Sequence, residues 1–228
     1  MHLPRYYLPR PPLQLDAATI EAYEALWEQI AGAPTGGELP YVLPAPRWQF
    51  LCYLADRKHV LLHGSGNPGI TEFEPRKAND TLEFGNRAAV YAASDGIWPI
   101  YFAMLDRDEY PMSLTNACFR VSDPAGELSD PFYFFSISQG ALAHQPWRAG
   151  MVYILPRPTF EPQPPIADGD TTVYVQQWAS PVPVAPLAKL RVTHADFPFL
   201  GQLRGHDDEI QRRRAQANPD GFPWIDEE

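Results

Sequence analysis

Cysteine is almost missing from this chain. Cys52 and Cys118 are the only two, and they share no paired spacing, so neither a disulfide framework nor a thiolate zinc site can be built from them. Long apolar runs are missing as well. No stretch approaches the ~18 consecutive apolar residues of a membrane span, so no membrane partner is expected. The opening Met1-His2-Leu3-Pro4-Arg5 lacks the apolar stretch of a secretory leader. These features predict a reducing, cytoplasmic setting. Positive charge is also scarce: 18 basic against 28 acidic side chains leave a net charge of −10. A surface of that sign repels phosphate backbones and disfavours bulk nucleic acid as a partner, but one local basic pocket can still hold a small phosphorylated ligand. The acidic runs Asp207-Asp208-Glu209 and Asp226-Glu227-Glu228 read as solvated surface.

What is plentiful is apolar and aromatic. With 45% hydrophobic and 20% charged residues, the chain can bury a sizeable core. Its 26 prolines and 13% aromatics point to short elements joined by stiff loops. The 228 residues show no repeat and no composition break, so one domain is read: an arm, helix and loop over 1–46, a core over 58–193 and a polar tail over 203–228.

Prolines 4, 9, 11 and 12 keep the first 14 residues extended. Asp16 is placed to cap a helix over 16–31, with Ile20, Tyr23, Leu26, Trp27 and Ile30 at helical spacing; Gly32 and Pro34 end it. That helix and the arm are expected on the outside of the core. A proline-rich and glycine-rich loop follows, then a short helix over 48–54. Val60-Leu61-Leu62 reads as a buried strand ending at His63-Gly64-Ser65-Gly66. A second strand covers 88–93, and Ser94 or Asp95 caps a helix reaching Leu105 with Pro99 in its first turn. Strands are then predicted near 117–122, 131–138, 150–155, 171–179 and 186–193, with a charged helix over 208–217. Helices gathered early and strands following one another directly predict an α+β fold whose antiparallel sheet is split by a cleft, and argue against a doubly wound parallel sheet.

His63-Gly64-Ser65-Gly66-Asn67-Pro68-Gly69 sits where a phosphate loop would, yet it lacks the lysine of a P-loop and the glycine spacing of a dinucleotide-binding unit. An ordinary strand-to-loop turn is the plain alternative. Against it stands Tyr91, an aromatic in a strand of small residues with Ala92 and Ala93 beside it. His63 offers a donor and an acceptor, Gly64 an exposed backbone and Tyr91 a flat face, a set that suits an amide-bearing aromatic ring.

Val60-Leu61-Leu62-His63-Gly64-Ser65, then Val90-Tyr91-Ala92, then Gln177-Trp178-Ala179-Ser180 ahead of Pro186-Leu187-Ala188-Lys189-Leu190, resembles the three-part His-Tyr-Glu pattern of ADP-ribosyltransferases, in their diphtheria-toxin and poly(ADP-ribose) polymerase branch. The likeness runs in order over about residues 58 to 193. It implies an ADP-ribosyltransferase-like fold and NAD as the substrate. By that resemblance His63 holds the NAD ribose, the Gly64 backbone bonds the nicotinamide amide, Ser65 lies beside them and Tyr91 stacks on the nicotinamide. The position of the family's acidic residue falls on Gln177.

That is a departure. Breaking the nicotinamide–ribose bond develops positive charge on the sugar, which a carboxylate stabilises better than an amide. Polymer formation is therefore not expected; transfer of single ADP-ribose units to an unknown acceptor (a protein or a nucleic-acid end), NAD hydrolysis, and binding without catalysis stay open. Arg76 and Arg87 are the arginines best placed for the pyrophosphate. Glu72 and Glu74 are alternative carboxylates, more simply read as surface. An RNA-end-modifying relative of the tRNA phosphotransferases is a third reading, weakened by the acidic charge. His194 with Asp196 has no third metal ligand nearby, His206-Asp207-Asp208-Glu209 has no calcium-loop spacing, and Ser65 begins no serine-hydrolase elbow, so no metal site is expected.

Overall fold

The computed structural model describes residues 3–32, 36–77, 83–123 and 125–225. Pro34 and the acidic run at 226–228 lie outside these described residues. In chain order the elements are β1 (Leu8–Pro9), α1 (Ala17–Gly32), β2 (Gly37–Glu38), α2 (Arg47–Arg57), β3 (Leu61–Ser65), β4 (Arg76–Lys77), β5 (Ala88–Ala93), α3 (Trp98–Met104), β6 (Leu114–Ser122) and β7 (Phe132–Ser138). They continue with α4 (Gln139–Ala143), β8 (Gly150–Leu155), β9 (Glu161–Pro162), β10 (Ile166–Asp168), β11 (Thr171–Val175), β12 (Gln177–Ser180), β13 (Ala188–Val192), β14 (Arg204–His206) and α5 (Asp208–Ala217).

The fold is α+β, with two sheets that are antiparallel except at two edge pairings. The first runs β1-β7-β6-β11-β10, with β14 added parallel to β7. The second runs β2-β13-β8-β3-β5-β12-β9, with β2 parallel to β13 and β4 paired to β5. The segment 171–179, expected as one strand, serves both sheets. It breaks at Gln176, whose N–H donates to the Cys118 carbonyl of β6 while its own carbonyl accepts from Ser94 beyond β5. The alternation of Val173 and Val175 with Tyr174 and Gln176 is the same on either side of such a break, so hydropathy alone could not reveal it.

The main core lies between the sheets. It joins Cys118, Tyr133, Phe135 and Ile137 of the first sheet to Leu62, Val152, Ile154 and Leu190 of the second, with Ile97 and the α3 residues Ile100, Tyr101 and Met104 in the same cluster. The Tyr101 hydroxyl donates to the Ser136 carbonyl on β7 at 2.9 Å. On the opposite side α3 rests directly on β3 and β8, because Gly64 and Gly150 have no side chains: a Cβ on either would overlap the Pro99 or Ala103 carbonyl. Asp95 starts this helix as its composition suggested, with Oδ1 accepting from the N–H groups of Ile97 and Trp98 at 2.8 Å each. Its other oxygen accepts from the Tyr133 hydroxyl at 2.6 Å.

Of the two N-terminal helices, α1 covers the core with one face, burying Tyr23, Leu26 and Ile30, and Asp16 caps it through the Thr19 N–H. The helix α2 is an inside element, buried continuously from Trp48 to Leu54. It can sit so deep because Gly96 lets the backbones meet at Cys52.

Candidate functional site

The histidine, tyrosine and glutamine strands are consecutive neighbours in the second sheet: β3 pairs with β5, and β5 with β12. Between β5 and β12 the register is regular, setting Gln177 opposite Ala93 and Ala179 opposite Tyr91. Between β3 and β5 it is a single pair, Leu62 with Ala93. Past that point β3 remains paired to β8 through Ser65, but it leaves β5. The regular pairing of the two strands therefore ends before His63.

His63 spans the parting. Its Nδ1 lies 2.7 Å from the Tyr91 carbonyl oxygen, and a carbonyl can only accept, so Nδ1 carries the proton. Burial pushes the imidazole pKa down, with the nearby Arg107 charge adding to that and the Tyr91 bond opposing it. The neutral ring thus presents Nε2 as a lone-pair acceptor, and Nε2 has no hydrogen-bond partner among the described residues. The ring rests on Phe73 at 4.6 Å between centroids, and Phe73 in turn meets Tyr153 edge-on.

The three side chains do not converge on one face. Strand alternation sends Tyr91 and Gln177 to the side of Leu62 and Ala93, whereas His63 leaves toward Phe73 and Tyr153 on the other. The His63 ring bonds the backbone carbonyl of Tyr91 across the parting. The Tyr91 ring packs with Phe84, Ala89 and Ala179, and its hydroxyl bonds the Phe84 and Arg87 carbonyls at 2.9 Å each. Tyr91 thus ties the 84–87 turn to β5. The half-buried Gln177 has its backbone paired on both sides, to Ala93 and to the Gln163 N–H, and its carboxamide bonds no described residue.

The remaining expected residues separate further. The Ser65 hydroxyl accepts from the Asn67 N–H at 3.1 Å, closing the turn. Arg76 is exposed on β4, and Arg87 is exposed with its guanidinium 4.8 Å from the Phe84 ring. Glu72 and Glu74 are both exposed. Gly64 has a packing role that sequence reasoning missed, since α3 occupies the space above its Cα. Reasoning from sequence also missed Arg148. Its guanidinium lies over Gly66, while Nη1 pairs with Asp108 at 2.6 Å and Asp106 at 3.4 Å. The Nε is buried with no partner among the described residues. Nothing in the local sequence around Arg148 signals this, because the contact is made by the fold.

A second group of chemistry-bearing residues borders a cavity of about 590 Å³ lined in part by Tyr110, His144, His206 and Asp208. His206 Nδ1 accepts from the Ser136 hydroxyl at 2.6 Å, and its Nε2–H donates to the Ser113 oxygen at 2.7 Å, because the one Ser113 hydroxyl proton is given to Asp208. The Ser113 and Ser138 hydroxyls both donate to Asp208 Oδ1 at 2.6 Å. The carboxylate is on the same side of the ring as the outer serine, so it does not orient the imidazole through the opposite nitrogen as a serine triad requires. Every member has a partner, and the network fastens α5 and β14 to β6 and β7. Asp207, Asp208 and Glu209 are exposed, as expected of solvated surface, while Asp208 also serves this network and Asp207 is the α5 N-cap through the Glu209 and Ile210 N–H groups. Asp196 is likewise structural, closing a capping box with Thr193 and pairing with Arg47 at 3.2 Å.

Among the described residues no helix is long and apolar enough to cross a membrane. Comparisons with known family models, with curated proteins and with solved structures return no match for this chain.

Proposed function

We propose that this protein binds NAD where β3 and β5 part and, as an ADP-ribosyltransferase-like fold, transfers a single ADP-ribose to an acceptor or hydrolyses NAD. The observation that carries the reading is the His63 bridge. A neutral imidazole, fixed in its tautomer by the Tyr91 carbonyl, holds an unengaged acceptor beside a strand edge that has lost its neighbour. A ribose hydroxyl can donate to Nε2, and an aromatic carboxamide can take the place of the missing strand partner along the Gly64 backbone. The histidine, tyrosine and glutamine strands are also neighbours in one sheet, which supports the same reading, with His63 meeting the ligand from the opposite side to Tyr91 and Gln177.

In this reaction the bond between the ribose C1′ and the nicotinamide nitrogen breaks, and nicotinamide leaves with the electron pair. Water or an acceptor nucleophile then attacks C1′ and gives up its proton. Gln177 orients the sugar without neutralising the charge that develops on it. Loss of one such electrostatic group costs about a hundredfold or more in rate.

That cost favours a second reading, a binding or scaffold protein of the same fold without turnover. Nicotinamide release from NAD, followed in wild type and Gln177→Glu, separates the two. The catalytic reading expects slow release that rises by about a hundredfold in the variant. No release from either protein, with NAD still bound, supports the scaffold.

A further inference from the structure

Gln163 follows β9 directly and is only 7% exposed. Its backbone N–H donates to the Gln177 carbonyl at 2.9 Å, and the adjacent register pairs Trp178 with Pro162 and Ala179 with Glu161. Gln163 therefore stands opposite Gln177, and strand alternation sends both side chains off the same side of the sheet as Tyr91. The Gln163 Oε1 is buried and accepts no hydrogen bond from any described residue.

An orphan of this kind demands an explanation, because a buried amide oxygen without a donor has given up water for nothing. Its sequence neighbours cannot relieve it: Pro162, Pro164 and Pro165 have no N–H to donate. The chain keeps an acceptor in a place where no described residue supplies a donor. We propose that Gln163 is a ligand-binding residue that accepts a hydrogen bond from a sugar hydroxyl, side by side with Gln177. The proposal rests on the NAD reading above and adds to it the residue that reads the ribose. Two carboxamides on paired strands, with Cβ atoms about 5 Å apart, can engage the neighbouring hydroxyls of one ribose, each amide offering an acceptor and a donor.

The test is Gln163→Leu, which removes the orphan and keeps the bulk. Melting temperature is measured without ligand, and affinity is measured by calorimetry for NAD and for nicotinamide, which has no sugar. The expected result is an unchanged or raised melting temperature, NAD binding weakened by about tenfold or more, and nicotinamide binding unchanged. An NAD affinity equal to wild type overturns the proposal and leaves the NAD reading standing. A lower melting temperature with equal losses for both ligands makes Gln163 a structural residue and overturns it too. Absence of NAD binding in the wild type removes the NAD reading itself, and this proposal with it.

Discussion

A methyl group at position 64 has nowhere to go. It would meet the Pro99 carbonyl and the Ala103 N–H, which belong to the backbone of α3 and cannot rotate away as a side chain would. Gly64→Ala is therefore predicted to cost about 3 kcal/mol or more, the upper range for overpacking. Gly140→Ala, with open space around it in α4, should be neutral or stabilising by up to ~1 kcal/mol. Urea denaturation of the two variants checks this. A Gly64→Ala protein as stable as wild type would contradict the direct seating of α3 on β3. The same residue shows where sequence reading stopped. His63, Gly64 and Tyr91 stood out by their chemistry, and the structure does put their strands together. That Gly64 is also a packing glycine depends on Pro99 and Ala103, and that Arg148 covers Gly66 depends on the start of β8. Contacts between residues so far apart in the chain leave no local periodicity.

At the scale of elements, capping and period were the legible signals. Asp16 and Asp95 start their helices as expected, and α5 spans the expected 208–217. Short edge strands such as β2, β4 and β9, two residues each, are too brief to show alternation and were not anticipated. Two junctions between elements are held by histidines: the half-buried His63 between β3 and β5, and the buried His206 where β14 meets β7. Burial lowers the pKa of both below the usual 6.5, Asp208 partly opposing it at His206. The unfolded chain therefore takes up protons that the folded state refuses. The stability from these neutral rings is fully present above pH 6.5 and is lost as pH falls from there through the folded values. The denaturation midpoint should fall between about pH 7.5 and about pH 5.5, and the His63→Asn, His206→Asn double variant should show a flatter dependence. An equal slope in wild type and variant would contradict the neutral state of these rings.

For the whole molecule, the fold class and the division of the antiparallel strands into two sheets followed from the order of elements, but the point at which the chain crosses between them did not. Gln176 hands the chain from one sheet to the other inside what reads as a single strand, and α3 fills the space between them. That arrangement makes the helix a common support for both sheets and leaves the β3–β5 parting at the edge of a well-packed core. The net charge of −10 sets the wider field against polyanions, so an anionic ligand needs local help there, and Arg148 over Gly66 and Lys189 on the Pro68 carbonyl are cations held at the turn. The measurement that tests the account most directly is calorimetric titration of NAD into the wild-type protein and into His63→Ala, with the variant's fold checked by its melting transition. The account predicts saturable NAD binding in the wild type and its loss in a folded variant. No binding at millimolar NAD, or equal binding by both proteins, would contradict it.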